Sequence, residues 1–151
     1  MKICFVCLGN ICRSPMAEFI LKDLLKKNNI SDVSVESRAT CYDEIGNDMY
    51  YLAKNKLDLE GIPYSKREAT ILTKEDYKKY DMLIGMDENN IRNINRIVGI
   101  DEDKKIYKLN YFCGNNNDIA DPWYTRDFDK AYEDIDRGIS KLLEFIMDNK
   151  K

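Results

Sequence analysis

Short apolar runs alternate with amphipathic segments along most of this chain. Apolar runs at residues 2–6 and 82–86 predict buried strands, and shorter apolar segments at 32–37 and 105–109 predict two more. Apolar positions at helical spacing predict helices, of which the four longest cover residues 15–27, 48–60, 88–98 and 128–148. Strands that alternate with helices are typical of an α/β protein, an open parallel sheet with helices on both faces.

Signals at the helix ends divide the chain further. Ser14 is a predicted N-cap with Pro15 at the first helical position, and Asp87 is placed to cap the third of these helices. Residues 38–47 and 111–127 are polar and irregular, which predicts surface loops.

Polar residues follow the strands at points that a parallel sheet brings to one edge. Cys7 follows the first strand, Ser37 ends the second, Asp87 follows the third, and Asp121 lies in the loop after the fourth. Ligands of open α/β sheets bind outside the carboxyl ends of the strands. We therefore expect these four residues to lie near one site.

Length and charge narrow the class of protein. The 151 residues predict a single domain over 1–151, with a net charge of −3 and no basic stripe, so nucleic acid is not an expected partner. The chain has no run of about 20 apolar residues, so no membrane-spanning helix is expected. A strand that starts almost at the first methionine leaves no room for a removable leader. The odd number of cysteines, five, favours a reduced cytoplasmic setting.

The chain has no histidine. This excludes catalysis by a Ser-His-Asp or Cys-His arrangement and zinc bound by histidine. Cys4 and Cys7 form a Cys-x-x-Cys, which can bind zinc or act as a dithiol, but residues three apart on a strand point to opposite faces and no second pair completes a metal site. We therefore expect neither a metal nor another cofactor.

One stretch between the first strand and the first helix carries the candidate chemistry. It runs Cys7-Leu8-Gly9-Asn10-Ile11-Cys12-Arg13-Ser14-Pro15. Backbone N–H groups at a helix N-terminus, together with a planar guanidinium, bind an oxyanion and favour a thiolate over a thiol. Gly9 allows a close approach of the backbone, and Asn10 tolerates a left-handed conformation. The sequence thus predicts a phosphoryl group held against Cys7, with the Ser14 hydroxyl bonded to its sulfur.

Phosphoryl transfer also needs an acid for the leaving oxygen. Asp121 is the candidate, because Pro122 stiffens the backbone beside it and the aromatic pair Trp123 and Tyr124 can wall a cleft. A deep aromatic slot favours an aryl phosphate over a short serine phosphate. Asp121 could instead be a turn residue before proline, and the aromatic pair could be packing residues.

These motifs resemble the low-molecular-weight protein tyrosine phosphatases. The loop, VCLGNICRSPMAE, and the late DPWY carry the resemblance, which spans nearly the whole chain. It implies a doubly wound, Rossmann- or flavodoxin-like sheet of order 2-1-3-4, phosphotyrosine proteins as substrates, oxyanion binding in the loop and a monomer or weak dimer. It also implies that Cys7 attacks phosphorus, Arg13 binds phosphate and Asp121 acts as acid and then base.

The resemblance assigns supporting roles as well. The implied phosphate-binding residues are Leu8, Gly9, Asn10, Ile11, Cys12 and Arg13. The implied supports are Asn10, Ser14, Ser37 and Asp87, and the implied cleft walls are Tyr42, Trp123 and Tyr124. Cys12 matches the family's second loop cysteine, which can trap an oxidised Cys7 as a reversible disulfide.

Three departures from the family pattern bear on substrate preference. Residues 60–66 lack the histidines that the family often has there, Arg38 replaces a small residue, and Asp43 falls near the place of an aromatic wall residue. Two alternatives are weighed against the phosphatase. A thiol-dependent arsenate reductase needs closely spaced further cysteines, whereas Cys41 and Cys113 are far apart and are expected to be bystanders. A non-catalytic phosphotyrosine-binding module would not need an intact nucleophile and acid.

Overall fold

A computed structural model of the protein describes residues 1–149. The bounds of the regular elements are β1 Lys2–Cys7, α1 Arg13–Lys27, β2 Ser34–Ala39, α2 Tyr51–Leu59, α3 Asp76–Lys79, β3 Met82–Gly85, α4 Glu88–Val98, β4 Ile106–Lys108, a 3-10 helix Leu109–Cys113, α5 Pro122–Thr125 and α6 Phe128–Asp148.

The four strands form one parallel sheet in the order β2-β1-β3-β4. This confirms the predicted α/β class and strand order. The sheet places β1 between β2 and β3, so the last residue of β1, Cys7, pairs with Ala39 and lies beside two neighbouring strands. The order reverses around β1, and such a switch point is where an open α/β sheet offers a crevice for a ligand.

Side chains of β1 alternate between two hydrophobic cores, one on each face of the sheet. Ile3 and Phe5 pack into the larger core with α1, α2 and α6. Cys4 and Val6 pack into the smaller core, which α4 closes with Ile94 and Val98. Helices on both faces explain why β1 is apolar at nearly every position rather than at every second one.

The second strand begins and ends two residues later than predicted. It covers Ser34–Ala39 instead of 32–37, so Arg38 belongs to the strand and not to the following loop. Residues after the predicted end are held because Ala39 bridges Ile71 and its N–H donates to the carbonyl of Thr70 at 2.7 Å. That distant segment provides a partner which periodicity within the strand does not reveal.

The predicted loop over 111–127 is only partly irregular. The 3-10 helix extends through Cys113 and the single turn α5 covers Pro122–Thr125, so this prediction was wrong at both ends. Proline at the first position of α5 fits a helix start, since its missing N–H would have no partner there. Among residues 1–149, no helix has the length and apolar character needed to cross a membrane.

Candidate active site

The carbonyl and N–H groups of the loop between β1 and α1 differ in their hydrogen bonding. The carbonyls of Cys7 and Leu8 accept from the N–H of Thr40 at 3.1 Å each, and the Ile11 carbonyl accepts from Tyr50 at 2.8 Å. By contrast, none of the backbone N–H groups of residues 9–13 donates a hydrogen bond within the described part of the chain. The loop therefore presents a set of donors suited to an anion.

Arg13 lies under this loop, with a side chain only 2% exposed. Its Nη1 donates to Asp87 Oδ2 and to the Ile119 carbonyl, both at 2.7 Å, while Nη2 makes only a long 3.4 Å contact with Asp121. Nε is buried and has no partner among the described residues. Because Nε and Nη2 lie on one edge of the guanidinium, that edge is available for two oxygens of a phosphoryl group.

Nearby negative charge keeps Arg13 cationic. Burial lowers the pKa of its guanidinium, but Cys7, Asp121 and Asp87 act in the opposite direction, and the net effect is a raised pKa. An arginine beside the Cys7 sulfur and two carboxylates is thus partly neutralised before any ligand binds. The loop N–H groups then supply the remaining attraction for a phosphate dianion.

The Cys7 sulfur is buried beside Ser14. Its Sγ lies 3.0 Å from the Ser14 hydroxyl and 3.4 Å from the Ser14 backbone nitrogen. The prediction that Ser14 caps α1 was wrong, because the helix begins at Arg13 with Cys12 as N-cap and no side-chain capping bond. Pro15 is consequently the third residue of the helix, where a backbone N–H would also lack an intrahelical partner. The Ser14 hydroxyl is therefore available to the sulfur.

Asn10 has a side-chain amide whose orientation is fixed by its neighbours. Its Oδ1 accepts from the backbone N–H of Thr70 at 3.1 Å and from Arg67 Nη2 at 2.5 Å. Both partners can only donate, so the oxygen must face them and Nδ2 must face the opposite way. Asn10 is fully buried and adopts the expected left-handed conformation, with φ of 59°.

The amide nitrogen of Asn10 sets the direction of the hydrogen bonds that reach the sulfur. Nδ2 donates to Ser14 Oγ at 2.7 Å and to Ser37 Oγ at 2.9 Å, and Ser37 in turn donates to the Glu18 carboxylate at 2.6 Å. Ser14 thus accepts from Asn10, and its only hydrogen remains for Cys7. A hydroxyl that donates to the sulfur stabilises the thiolate, both as nucleophile and as leaving group.

Sequence reasoning missed Arg67 and Glu18. Arg67 lies one residue beyond the segment in which histidines are expected, and it contacts the loop residue Asn10 across 57 positions of sequence. Glu18 faces inward from α1 and is 8% exposed. No local signal marks either residue, although a buried glutamate on an amphipathic helix needs a partner and so invites a search for one.

Asp87 contacts both the start of α4 and Arg13. Its Oδ1 accepts from the Asn90 backbone N–H at 2.8 Å within a capping box of α4, and its Oδ2 accepts from Arg13 at 2.7 Å. One carboxylate thus joins the start of α4 to the guanidinium. This second contact occupies Nη1, whereas Nε has no partner among the described residues.

Asp121 reaches the site from the other side. It is the N-cap of α5, with Oδ1 accepting from the Trp123 N–H at 3.0 Å, and its Oδ2 lies 3.4 Å from Arg13 Nη2. Its side chain is 21% exposed, so it can exchange protons with solvent. Over a hundred residues of sequence separate Asp121 from Cys7, and the fold brings both to one cleft.

The cleft above the loop has a volume of about 280 Å³. The predicted wall residues Trp123 and Tyr124 line it, together with Cys41, Asp43 and Glu44. Tyr42, also predicted as a wall, does not line this cleft and is 76% exposed. Its neighbours in the sequence, Cys41 and Asp43, line the cleft instead, because the loop over 40–47 places these two residues, and not the tyrosine ring, at the cleft.

Arg38, one of the three departures from the family pattern, does not line the cleft. Arg38 points away from the cleft and binds Glu36 at 3.1 Å and the Tyr80 hydroxyl at 2.8 Å.

Burial, reinforced by the nearby Cys7 and Asp121, raises the pKa of the Cys12 thiol well above its usual range. Within residues 1–149, no cluster of cysteines and carboxylates has the composition of a metal site.

A family model described as low molecular weight phosphotyrosine protein phosphatase matches residues 2–151. Among curated proteins, the low molecular weight protein-tyrosine-phosphatase PtpA of Staphylococcus haemolyticus is 35% identical over 147 residues, covering 97% of this chain and 94% of that protein.

Solved structures agree with these matches. YfkJ from Bacillus subtilis superposes with a TM-score of 0.94 at 32% identity, covering 100% of this chain and 97% of the other. SP-PTP, a low molecular weight protein tyrosine phosphatase from Streptococcus pyogenes, superposes with a TM-score of 0.84 at 37% identity, covering 95% and 91%.

Proposed function

Because the chain belongs to the low-molecular-weight phosphotyrosine protein phosphatase family, we propose that Cys7, Arg13 and Asp121 carry out the hydrolysis of phosphotyrosine in it. The protein is a protein tyrosine phosphatase, and phosphotyrosine hydrolysis is the activity of its family. The observation that carries the residue assignment is the buried, unpartnered Nε of Arg13 beside the unbound N–H groups of the loop.

In the first step, the Cys7 thiolate attacks the phosphorus of the bound phosphotyrosine. A sulfur–phosphorus bond forms while the bond to the tyrosine oxygen breaks, and Asp121 donates its proton to that oxygen. Arg13 and the N–H groups of Leu8, Gly9, Asn10, Ile11, Cys12 and Arg13 bind the phosphoryl oxygens. General acid catalysis of this kind contributes about 10²–10⁴-fold, and oriented donors stabilise the charge of the transition state.

In the second step, the phosphocysteine is hydrolysed. The Asp121 carboxylate takes a proton from water as the water oxygen attacks phosphorus, and the sulfur–phosphorus bond breaks. The products are inorganic phosphate, the Cys7 thiolate and a protonated Asp121, which is ready for the next substrate. The Ser14 hydroxyl, 3.0 Å from Sγ, supports the sulfur as it departs.

Supporting roles follow from the same contacts. Asn10, Ser14 and Ser37 fix the loop, and Asp87 orients Arg13. Under oxidation, peroxide converts the Cys7 thiolate to a sulfenic acid, the Cys12 sulfur attacks it, and loss of water leaves a Cys7–Cys12 disulfide that thiols reduce. Cys12 lies in the same loop and lines the same cleft as Cys7, which suits a role as resolving thiol.

The setting of the enzyme is proposed on chemical grounds. All five cysteines are free, as in a reducing compartment, so we place the protein in the cytoplasm. The proposed site draws every residue from one chain, so a monomer or weak dimer suffices, and we treat residues 1–151 as one catalytic domain. The aromatic residues Trp123 and Tyr124 favour a phosphotyrosine side chain on a protein.

The test compares a phosphotyrosine peptide, a phosphoserine peptide and arsenate on the wild type and on Cys7→Ser, each with and without EDTA. We expect turnover of the phosphotyrosine peptide alone, undiminished by EDTA and lost in Cys7→Ser. Thiol-dependent reduction of arsenate would favour the reductase. Binding of the phosphotyrosine peptide without turnover by the wild type would favour the non-catalytic module.

A further inference from the structure

The one-turn helix that carries Asp121 is too short to be stable by itself. α5 has four residues, of which only Pro122 is buried, while Trp123 is 40% and Tyr124 is 72% exposed. Isolated helices of this length do not persist in water, so their position comes from tertiary contacts. The contacts that fix α5 therefore decide where the carboxyl group of Asp121 lies.

On its N-terminal side, α5 is anchored through Ile119. This residue is fully buried, its N–H donates to the Met86 carbonyl at 2.9 Å, and its carbonyl accepts from Arg13. These bonds hold the chain two residues before Asp121. They leave the C-terminal side of α5 to be held by something else.

On its C-terminal side, α5 is followed by its C-cap Arg126, whose guanidinium folds back over the helix. Nη2 donates to the Tyr50 hydroxyl at 2.8 Å, and Nη1 donates to the Trp123 carbonyl at 3.3 Å. The guanidinium carbon lies 5.4 Å from the centre of the Tyr50 ring and 5.9 Å from that of Trp123, within range of cation–π attraction.

Tyr50 connects this contact to the loop between β1 and α1, which follows Cys7. Its backbone N–H donates to the Ile11 carbonyl at 2.8 Å, and its ring packs edge-on against Trp123 with centroids 4.8 Å apart. Tyr50 thus binds the loop between β1 and α1 through its backbone and contacts α5 through its side chain. We call the contact of Arg126 with Tyr50 and Trp123 the Arg126 latch.

We propose that the Arg126 latch positions Asp121 over Cys7, so that Arg126 and Tyr50 are positioning residues for the protonation of the leaving group. This inference rests on the proposed role of Asp121 as general acid. Arg126 touches neither the phosphoryl group nor the reacting sulfur in this account, and it acts through α5.

Backbone conformation supports a role for the side chain of Arg126. The residue is left-handed, with φ of 61°, in a region that glycine or asparagine occupies at lower cost. A residue chosen only to end α5 would not need a guanidinium. The rival account is that Arg126 attracts the substrate dianion by its charge alone.

The experiment measures kcat/KM on phenyl phosphate, which needs an acid, and on 2,4-dinitrophenyl phosphate, whose phenolate leaves without one. Tyr50→Phe keeps the aromatic ring at position 50 and the charge of Arg126 but removes the hydroxyl that accepts from Arg126. Arg126→Asn keeps a left-handed residue but removes the guanidinium. Arg137→Asn, at an exposed arginine of α6 paired with Asp134, is the matched control.

We expect Tyr50→Phe to lower kcat/KM on phenyl phosphate about fivefold, the change that corresponds to one such hydrogen bond. Arg126→Asn should lower it about tenfold, since it also breaks the bond to Trp123, and the double variant should be no worse. On 2,4-dinitrophenyl phosphate, each variant should stay within about twofold of the wild type, as should the control on both substrates.

Equal loss on both substrates in Arg126→Asn, with Tyr50→Phe unchanged, would establish the charge account and overturn the latch. Asp121→Asn separates this failure from that of the proposed function. If Asp121→Asn is selective for phenyl phosphate while the latch variants are not, only the latch is wrong. If Asp121→Asn slows both substrates equally, Asp121 is not the acid and the latch falls with it.

Discussion

The hydrogen bond from Ser14 to Cys7 is the contact on which the reactivity of the thiolate depends most directly, and Ser14→Ala removes it. The variant deletes the hydroxyl 3.0 Å from Sγ and leaves the weaker backbone contact at 3.4 Å. A hydrogen bond to a charged group contributes about 1.5–3 kcal/mol. Taking the lower value, because sulfur is a diffuse acceptor, gives about a tenfold change in any rate that depends on the thiolate.

Ser37→Ala is the matched control for Ser14→Ala. Both hydroxyls accept from the same amide nitrogen of Asn10, at 2.7 and 2.9 Å, but only Ser14 is within hydrogen-bond distance of the sulfur. Each substitution leaves one hydrogen of a buried amide unpaired, at a cost of about 1–3 kcal/mol. Ser14→Ala also removes a donor from Cys7, and Ser37→Ala also removes a donor from the buried Glu18 carboxylate, so both variants should have a lowered melting temperature.

The assay is the rate of alkylation of Cys7 by iodoacetamide at fixed pH, with kcat/KM on 2,4-dinitrophenyl phosphate measured in parallel. We expect both rates to fall about tenfold in Ser14→Ala and less than about twofold in Ser37→Ala. Equal losses in the two variants would mean that the network acts through loop structure alone. An unchanged alkylation rate in Ser14→Ala would refute the hydrogen bond as the source of reactivity.

Three further predictions concern the acid, the resolving thiol and the packing of α6. Asp121→Asn should lower kcat/KM on phenyl phosphate by about 10²–10⁴-fold and on 2,4-dinitrophenyl phosphate far less; an equal fall would place the acid elsewhere. Inactivation by peroxide should be reversed by thiol in the wild type but not in Cys12→Ser, and equal recovery would remove the disulfide from the account. Gly138→Ala places a Cβ 2.5 Å from Leu109 Cγ, so overpacking of about 1–3 kcal/mol exceeds the helix gain of about 0.5–1; thermal unfolding should show a melting temperature lower by a few degrees, and an unchanged one would show that Leu109 moves aside at little cost.

The parts of the site that sequence could predict are those set by local spacing. Cys7 and Arg13 lie at the two ends of one strand-to-helix loop, so their proximity follows from the connection itself. Asp87 follows a buried strand and begins a helix, which places it at the same edge of the sheet. Asp121 was identified by the proline and aromatic residues after it, and the fold brings it within 3.4 Å of Arg13.

Sequence could not predict the parts of the site that depend on tertiary contacts. Arg67 lies in an irregular segment, and nothing in its surroundings indicates the 2.5 Å contact with Asn10. Ser14 followed a sound capping rule, yet the helix begins two residues earlier than predicted and leaves the Ser14 hydroxyl to the sulfur. Tyr42 was expected in the cleft from the family resemblance, but it does not line the cleft, and the sequence pattern does not fix side-chain direction in a loop.

A phosphate bonded to the Cys7 sulfur is the intermediate that defines the proposed mechanism, and it can be trapped. The enzyme is denatured rapidly during turnover of a phosphotyrosine peptide, digested and mapped by mass spectrometry. We expect phosphate on Cys7 in the wild type and none in Cys7→Ser. Phosphate on Cys7 should accumulate further in Asp121→Asn supplied with 2,4-dinitrophenyl phosphate, because the base for hydrolysis is missing. Turnover by Cys7→Ser, or a phosphate mapped to any other residue, would contradict the proposed mechanism.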